Sequence, residues 1–195
     1  MKKIIIADYG VGNLFSLKKA FEFCGASPLI SEEAQDIETA DALVLPGVGS
    51  FEAGMRGLKA RGLVPAVKKF ADSAKPMLGI CLGAQLLLSK GHEFGLWDGL
   101  DIIAGNVVPF PRIAEKVPHI GWNRVTEGTR SFDAYFLHSF ILAPDNPKDA
   151  FGVTEYGGFH FCSEVKKGAV LGVQFHPEKS GEAGLEFIKR FASLA

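Results

Sequence analysis

The sequence predicts an α/β fold: a mostly parallel central sheet flanked by helices, with antiparallel strands added to it. In the first half of the chain, continuously apolar runs alternate with helical stretches, which is typical of a parallel sheet covered on both faces. From Leu100 to Val173 the runs are shorter, richer in Gly, Pro and aromatic residues, and alternate apolar with polar residues, which favours antiparallel strands. The final segment, Glu182–Leu194, returns to helical spacing.

Individual elements follow from the same patterns. The strands of the first half are predicted at Lys3–Ala7, Ala42–Leu45 and Met77–Ile80. The helices there are predicted at Asn13–Cys24 and at Leu82–Ser89. Between them, a further helical stretch is predicted to follow the strand Ala42–Leu45 and to run through about Gly62–Ser73. The runs expected to form the mostly antiparallel strands are Ile102-Ile103, Val107-Val108, Tyr135–Phe140, Phe159–Cys162 and Val170–Phe175. The sequence has no internal repeat or linker, so residues 1–195 are predicted to form a single domain.

The composition is that of an ordinary globular protein, with 47% hydrophobic and 22% charged residues. The formal net charge is −1, so neither a nucleic acid nor an anionic membrane is expected as a partner. The apolar run Ile4–Ala7 is too short for a signal peptide or a membrane span. Because Cys24, Cys81 and Cys162 are widely spaced, no disulfide framework or metal site is implied, and a cytoplasmic location is expected.

Cys81 follows an apolar strand directly and precedes a helix, in the segment GICLG at 79–83. This is the arrangement of a nucleophile elbow with cysteine in place of serine. The two glycines allow the strand and helix backbones to approach closely, and the start of a helix favours the reactive thiolate. The N–H of Leu82 would be free to donate to an oxyanion. The alternative is a buried structural cysteine, which is the interpretation for Cys24 and Cys162.

His176 is the best-placed base for this nucleophile. An apolar strand ends directly before His176-Pro177-Glu178, and catalytic groups of open α/β sheets gather at the C-terminal ends of strands. The turn at Pro177 would let Glu178 return toward His176 and orient its imidazole. The motif is a weak signal alone, but together with the elbow it predicts a Cys–His–Glu triad.

A glycine loop, PGVG at 46–49, follows the strand Ala42–Leu45. Its backbone N–H groups could complete an oxyanion hole, since this strand is expected to lie beside the strand that carries Cys81. The loop lacks the Lys-Ser/Thr ending of a phosphate-binding loop, so phosphate binding is not expected. A plain glycine turn is the alternative interpretation.

Three of these segments together resemble the class I, or triad-type, glutamine amidotransferases: PGVG at 46–49, GICLGAQ at 79–85 and GVQFHPE at 172–178. Three more are similar to one branch of that family, the glutaminase subunits of imidazole glycerol phosphate synthase: DYGVGNL at 8–14, VPHIGWN at 117–123 and YFLHSF at 135–140. The matches cover nearly the whole chain and are jointly specific. The resemblance implies a class I glutamine amidotransferase-like fold with a flavodoxin-like core, and no cofactor is expected.

The resemblance also implies a role for each site residue. Cys81 would attack the carboxamide of glutamine to give a glutamyl thioester and ammonia, with His176 transferring the proton and Glu178 orienting it. The oxyanion would be held by backbone N–H groups of Leu82, Gly47, Val48 and Gly49. Glutamine would be bound by Gln85, Glu93, Ser139 and Phe140. The residues implied to face a partner are His119, Trp122, Asn123 and Lys179.

The implied partner is a cyclase subunit of the (β/α)₈-barrel type, which would form a heterodimer with this chain and receive ammonia through its interior. Together the subunits would make imidazole glycerol phosphate and AICAR in histidine biosynthesis. The glycine loop is implied to rearrange when the partner is loaded.

Four departures from the family pattern leave a paralogue open. Phe140 replaces the usual tyrosine, and the run ILAP at 141–144 after it is more apolar than expected. Ala84 stands where Met is commoner, and GLDI at 99–102 replaces a GLGL-type segment. A paralogue would supply ammonia to another acceptor, such as a bacterial surface sugar. Two other classes also remain open: a stand-alone cysteine hydrolase acting on peptides or esters, and a non-catalytic partner-binding module. Trp122 in a Pro-rich segment favours an interface over a stand-alone hydrolase, and the presence of all three triad residues disfavours a non-enzyme.

Overall fold

The computed structural model describes residues 2–195, and a 13-stranded sheet forms its centre. The strands of this part of the chain are Ile4–Ala7 (β1), Leu29–Ser31 (β2), Ala42–Leu45 (β3), Met77–Ile80 (β4), Leu88–Gly91 (β5), Trp97–Asp98 (β6), Ile103–Pro109 (β7), His119–Glu127 (β8), Arg130–His138 (β9), Phe140–Pro144 (β10), Ala150–Tyr156 (β11), Phe159–Lys167 (β12) and Val170–Val173 (β13). Its α-helices are Leu14–Phe23 (α1), Ala34–Thr39 (α2), Phe51–Ala60 (α3), Val64–Asp72 (α4), Leu82–Leu86 (α5) and Gly181–Leu194 (α6). Short 3-10 helices occur at Pro147–Asp149 and Pro177–Lys179.

The core of the sheet is parallel, with the strand order β2-β1-β3-β4-β13. This order matches the flavodoxin-like arrangement 2-1-3-4-5. Alternate side chains of β1 enter two separate cores, Ile5 on one face and Ile4 and Ile6 on the other. Residues of α2, α3, α4 and α5 complete the first core, and residues of α1 and α6 complete the second. The predicted parallel sheet, covered on both faces, is confirmed.

The antiparallel strands continue the sheet beyond β13. β12 pairs antiparallel with β13 and β10, and β10 pairs antiparallel with β7. A branch leaves the main path through β11, which pairs with both β12 and β8, and β8 pairs with β9. The prediction of added antiparallel strands is therefore confirmed. Val170–Val173 is a correction to that group, because it pairs parallel with β4 and so belongs to the core.

The helix predicted at Leu82–Ser89 is wrong in its second half, because α5 ends at Leu86 and β5 follows. The carbonyls of Leu86 and Leu87 accept hydrogen bonds from the N–H groups of Leu100 and Ile102, each at 2.9 Å. These partners replace the helical bonds of the next turn. The helix is thus ended by a tertiary contact that local sequence does not show.

Two further differences concern the helices and strands before β4. The helical stretch predicted to follow Ala42–Leu45 and run through about Gly62–Ser73 consists of two helices, α3 and α4. The turn between them includes Gly62, which has a φ of 65°. The sequence pattern does not indicate β2 or α2, whose three and six residues are too short for a periodic signal. Within residues 2–195, no helix has the combined length and apolar composition that crossing a membrane requires.

Candidate active site

Cys81 lies between β4 and α5 with a φ of 52°, a strained backbone conformation for a residue with a side chain. Its N–H donates to the carbonyl of Val173 at 2.8 Å, which ties the turn to the neighbouring strand. A Cβ atom on Gly83 would lie 1.8 Å from the carbonyl oxygen of Leu45, and one on Gly79 would lie 2.8 Å from the backbone of α5. The tight strand-to-helix turn of a nucleophile elbow is present.

His176 and Glu178 follow the end of β13, the parallel neighbour of the strand β4 that ends directly before Cys81. Nδ1 of His176 lies 2.9 Å from Oε1 of Glu178, and both side chains are buried. Burial lowers the pKa of His176, but the adjacent Cys81 and Glu178 attract its proton more strongly and raise the pKa to about 10. A protonated imidazole in this position can give its proton to a leaving group. The structure brings the three residues of the predicted triad together.

The segment that carries the histidine is fixed to β9. The hydroxyl of buried Ser180 donates to the carbonyl of His176 at 2.6 Å and accepts from the N–H of Tyr135 at 2.9 Å. The N–H of His176 donates to the carbonyl of Tyr135 at 2.8 Å. The position of the base is therefore set by β9, the strand that also contributes to the pocket wall.

A cavity of about 280 Å³ opens over Cys81, at the lower end of the range for small-molecule sites. The predicted oxyanion and glutamine-binding residues on its wall are Val48, Gly49, Leu82, Gln85, Glu93, Ser139 and Phe140. The sequence did not indicate Pro118, Leu137 and His138, which also line the cavity. The sequence indicates these three residues only indirectly, because they lie in the segments at 117–123 and 135–140 that resemble family segments.

Buried amides connect the pocket wall to the sulfur. Nε2 of Gln85 donates to Oε1 of Gln174 at 3.1 Å and to the carbonyl of Phe140 at 3.4 Å. Gln174 is fully buried, and its Nε2 lies 3.7 Å from Sγ of Cys81. The carboxylate of Glu93 accepts a hydrogen bond of 2.7 Å from the first N–H of α3. Gln174 has no role in the sequence analysis, although it lies within the motif that ends in the triad.

The expectation that the N–H of Leu82 is free is wrong for this state of the loop. That N–H donates to the carbonyl of Gly47 at 3.4 Å, so a carbonyl faces the place where an oxyanion would form. The hydroxyl of buried Tyr9 donates to the carbonyl of Pro46, and burial raises the pKa of this tyrosine above its ordinary value. Tyr9 therefore anchors the start of the loop as a permanent donor, a role that the sequence did not indicate.

Two of the predicted partner-facing residues form an exposed cluster. The side chain of Trp122 is 59% exposed and meets the ring of Tyr135 edge-on, with 6.3 Å between the ring centroids. The ammonium group of exposed Lys179 lies 5.8 Å from the centre of the Tyr135 ring. Ile120 is exposed as well and lies on the same side of β8 as Trp122.

The other two predicted partner-facing residues are less accessible. Asn123 is half-buried, and its Nδ2 donates to the carbonyl of Glu155 at 2.7 Å and to Nε2 of His119 at 3.4 Å. The His119 ring is only 2% exposed. In this structure His119 lies beneath the surface that Trp122 forms, so it supports that surface from below.

The remaining cysteines have structural surroundings. Sγ of Cys24 donates to the carbonyl of Leu185 at 3.3 Å, and Sγ of Cys162 donates to the carbonyl of Glu164 at 3.1 Å. Burial raises the pKa of Cys24, and it raises the pKa of Cys162 to about 12. Neither thiol is prepared to act as a nucleophile. The residues that the structure describes contain no group of three or more His, Cys, Asp or Glu that could hold a metal ion.

Known proteins match both the sequence and the fold. The family model described as Glutamine amidotransferase class-I matches residues 5–194. The imidazole glycerol phosphate synthase subunit HisH 1 of Legionella pneumophila (strain Paris) is 43% identical, with 100% of each chain covered. The subunit HisH of Methanosarcina barkeri is 45% identical, again with 100% of each covered.

Solved structures agree at the level of the fold alone, since their identities are low. A crystal structure of a glutamine amidotransferase has a TM-score of 0.77 at 18% identity, covering 97% of this chain and 98% of the other. PurLQS from Thermotoga maritima has a TM-score of 0.74 at 16% identity, covering 99% and 98%. The chain therefore belongs to the class-I glutamine amidotransferase family and, within it, to the HisH subunits of imidazole glycerol phosphate synthase.

Proposed function

We propose that this chain hydrolyses glutamine to glutamate and ammonia as the glutaminase subunit of an imidazole glycerol phosphate synthase in histidine biosynthesis. The observation that carries the proposal is the meeting of Cys81, His176 and Glu178 beside one small pocket. Full-length similarity to HisH subunits supports the pathway. A non-catalytic module does not account for the triad beside the pocket, and a stand-alone hydrolase does not account for the full-length similarity to HisH subunits.

The proposed mechanism gives each side chain of the triad one step, which its geometry supports. The Cys81 thiolate attacks the carboxamide carbon of glutamine, and protonated His176 gives its proton to the leaving nitrogen, which departs as ammonia. Water then attacks the glutamyl thioester while His176 accepts a proton from it, and glutamate leaves as the sulfur is released as a thiolate, which restores the starting pair. Glu178 holds the imidazole through Nδ1, so that Nε2 is the nitrogen that exchanges protons.

The oxyanion that forms during the attack needs a change in the glycine loop. The C=O and N–H groups of one planar trans peptide unit point in opposite directions. Rotating the unit between Gly47 and Val48 would therefore remove the carbonyl from Leu82 and turn the N–H of Val48 toward the pocket. Gly49 has a φ of 115°, and no atom lies within 4 Å of its Cβ position, so the loop is open on the Gly49 side of this unit. We propose that loading of the partner favours the rotated loop.

The proposed partner is a cyclase subunit of the (β/α)₈-barrel type that forms a heterodimer with this chain. Its docking site would be the β8–β9 apolar surface, which we define as Val117, Ile120, Trp122 and Leu137. Each of these side chains is more than a third exposed, and contiguous apolar exposure of this kind marks interfaces. Because Leu137 also lines the pocket, ammonia would be released beside the partner.

Two further parts of the proposal concern organisation and location. We propose that residues 1–195 act as one glutamine amidotransferase domain, which the continuity of the sheet from β2 to β6 supports. We also propose the cytoplasm as its location, which is supported by three free cysteines, since thiols persist in a reducing compartment.

A coupled assay tests the proposed function. Glutamate release is measured for the chain alone, with the cyclase subunit, and with the cyclase subunit plus its nucleotide substrate. The last mixture is expected to be faster by roughly 10²-fold or more, the usual effect of gaining one oxyanion donor. Equal turnover by the isolated chain would contradict the coupled-subunit proposal. Stimulation by a sugar-modifying partner instead would favour the paralogue.

Replacing Trp122 by alanine is expected to weaken the complex by roughly tenfold or more in Kd, because buried Trp side chains dominate interface energies. The melting temperature of the free chain should barely change, since this side chain is mostly exposed there. Titration calorimetry and thermal unfolding give the two quantities. Phe23→Ala is the matched control, because Phe23 is 79% exposed at the end of α1, and it should leave the affinity unchanged. A large loss of stability with normal affinity would place Trp122 in the core instead.

A further inference from the structure

Two buried histidines lie between the partner-facing strand and the glutamine pocket. His119 and His138 face each other across β8 and β9, with Nδ1 of His119 3.0 Å from Nε2 of His138. His119 stacks between Phe136 and Tyr156, with ring centroids at 4.7 and 3.9 Å. Burial lowers the pKa of His119 to about 4 and that of His138 to about 3. Both rings are therefore neutral at pH 7, and each has one donor and one acceptor.

The contacts of the pair allow only one arrangement of protons. Nδ1 of His138 lies 2.8 Å from the carbonyl of Phe140, which can only accept, so this nitrogen carries the proton. Nε2 of His138 is then an acceptor, and Nδ1 of His119 must donate to it. That leaves Nε2 of His119 to accept from Nδ2 of Asn123. All three contacts are satisfied by this single pair of tautomers.

The inner end of this chain of hydrogen bonds meets the pocket, and its outer end lies on the inner face of β8. At the inner end, the Phe140 carbonyl also accepts from Gln85, whose amide continues to Gln174 beside Cys81. At the outer end, Asn123 is half-buried, and its side chain shares the inner face of β8 with His119, opposite the face that carries Trp122. A displacement of the asparagine therefore has a continuous path of hydrogen bonds to the pocket wall.

We propose that His119 and His138 are positioning residues that link Asn123 on the partner-facing strand to the Phe140 carbonyl and Gln85 in the glutamine pocket. Docking of the partner on the outer face of β8 then acts through the strand itself, because a shift of β8 moves Asn123 and His119 and so changes the orientation of the Gln85 amide and the position of bound glutamine. All the hydrogen bonds between Asn123 and the Phe140 carbonyl run in the same direction, because each neutral ring accepts one hydrogen bond and donates one. The proposal rests on the proposed function and adds a route from the interface to the substrate.

A double-mutant cycle tests the link in the saturated complex. Asn123→Ala removes the outer donor, and His119→Phe keeps a ring for stacking but removes both nitrogens. Each variant is expected to lower kcat/KM for glutamine by roughly fivefold to tenfold, mainly through KM, as for one lost hydrogen bond. The double variant should be no worse than His119→Phe alone. Trp122→Ala is the matched control on the same strand, and its effect should multiply with that of His119→Phe.

The outcomes separate this proposal from the proposed function. If the effects of Asn123→Ala and His119→Phe multiply, the link is overturned while glutaminase activity stands. If the wild-type complex releases no glutamate, the proposed function fails, and nitrogen NMR of the imidazoles still reports on the pair. Both rings are expected as Nδ1–H tautomers, and an Nε2–H form of either ring would overturn the chain of bonds. The NMR measurement uses the wild-type protein, so it decides the matter even if His119→Phe does not fold.

Discussion

Replacing Cys81 by alanine is expected to abolish glutamine hydrolysis and leave synthesis from ammonium salts intact in the complex. In the proposed mechanism the sulfur of Cys81 forms the thioester, and removal of a catalytic nucleophile lowers kcat by about 10⁴-fold or more. In the proposed function the ammonium-dependent reaction takes place on the partner and needs only a folded chain beside it. Glutamate release and product formation from ammonium chloride, measured on the same preparation, check both halves of the expectation.

Two features keep this experiment interpretable. Alanine retains a Cβ atom, so the variant keeps the backbone strain at a φ of 52° and does not gain the freedom that glycine would give. Cys24→Ala is the matched control, because it removes a thiol outside the pocket whose hydrogen bond goes to the backbone carbonyl of Leu185, and it should have wild-type glutaminase kinetics. Glutamine hydrolysis that survives in Cys81→Ala would remove this residue from the proposed role.

The second large effect is expected on folding. Gly83→Ala would place a Cβ atom 1.8 Å from the carbonyl oxygen of Leu45 and 2.7 Å from its carbon. Both atoms belong to the backbone of β3, a central strand that is buried along its whole length, so neither can move aside cheaply. We expect a loss of more than about 4 kcal/mol in the free energy of unfolding, which most domains of this size barely survive.

Denaturant unfolding of the purified Gly83→Ala variant measures this loss. Failure of the variant to accumulate as soluble protein would be the same result in a stronger form. Gly128→Ala is the control. Gly128 has a φ of 57°, and no atom lies within 4 Å of its Cβ position, so alanine there should cost only about 1–2 kcal/mol of backbone strain. Equal losses for the two variants would mean that the contact between α5 and β3 is looser than the structure has it.

The sequence predicts the triad region well because its signals are local. The turn at Cys81 needs small neighbours on both sides, and Gly79 and Gly83 are visible in the sequence. His176 is predicted because an apolar strand ends just before it. That β3 lies beside β4 follows from the regular alternation of strands and helices, and the register Leu45↔Gly79 agrees.

The sequence does not predict features that depend on distant partners. The orientation of the Gly47 carbonyl depends on the rotation of one peptide plane, and the residue types of the loop do not determine that rotation. The burial of His119 depends on its position directly opposite His138, 19 residues away, and one step of register would change it. The end of α5 at Leu86 depends on Leu100 in the same way. Each is fixed by tertiary pairing.

The hydrogen bond between Leu82 and Gly47 also affects how fast the free subunit would hydrolyse glutamine without a partner. Such a bond between neutral groups contributes only about 1 kcal/mol, which corresponds to a loop that is ready for catalysis a noticeable fraction of the time. A hundredfold stimulation corresponds to about 2.7 kcal/mol, so the bond alone accounts for less than half of it. In the free subunit the rest must come from further contacts that hold the loop in this orientation, such as the hydrogen bond from Tyr9 to the Pro46 carbonyl. These contacts together limit glutamine hydrolysis by the free subunit, and the proposed partner must supply at least the same free energy through contacts with the rotated loop.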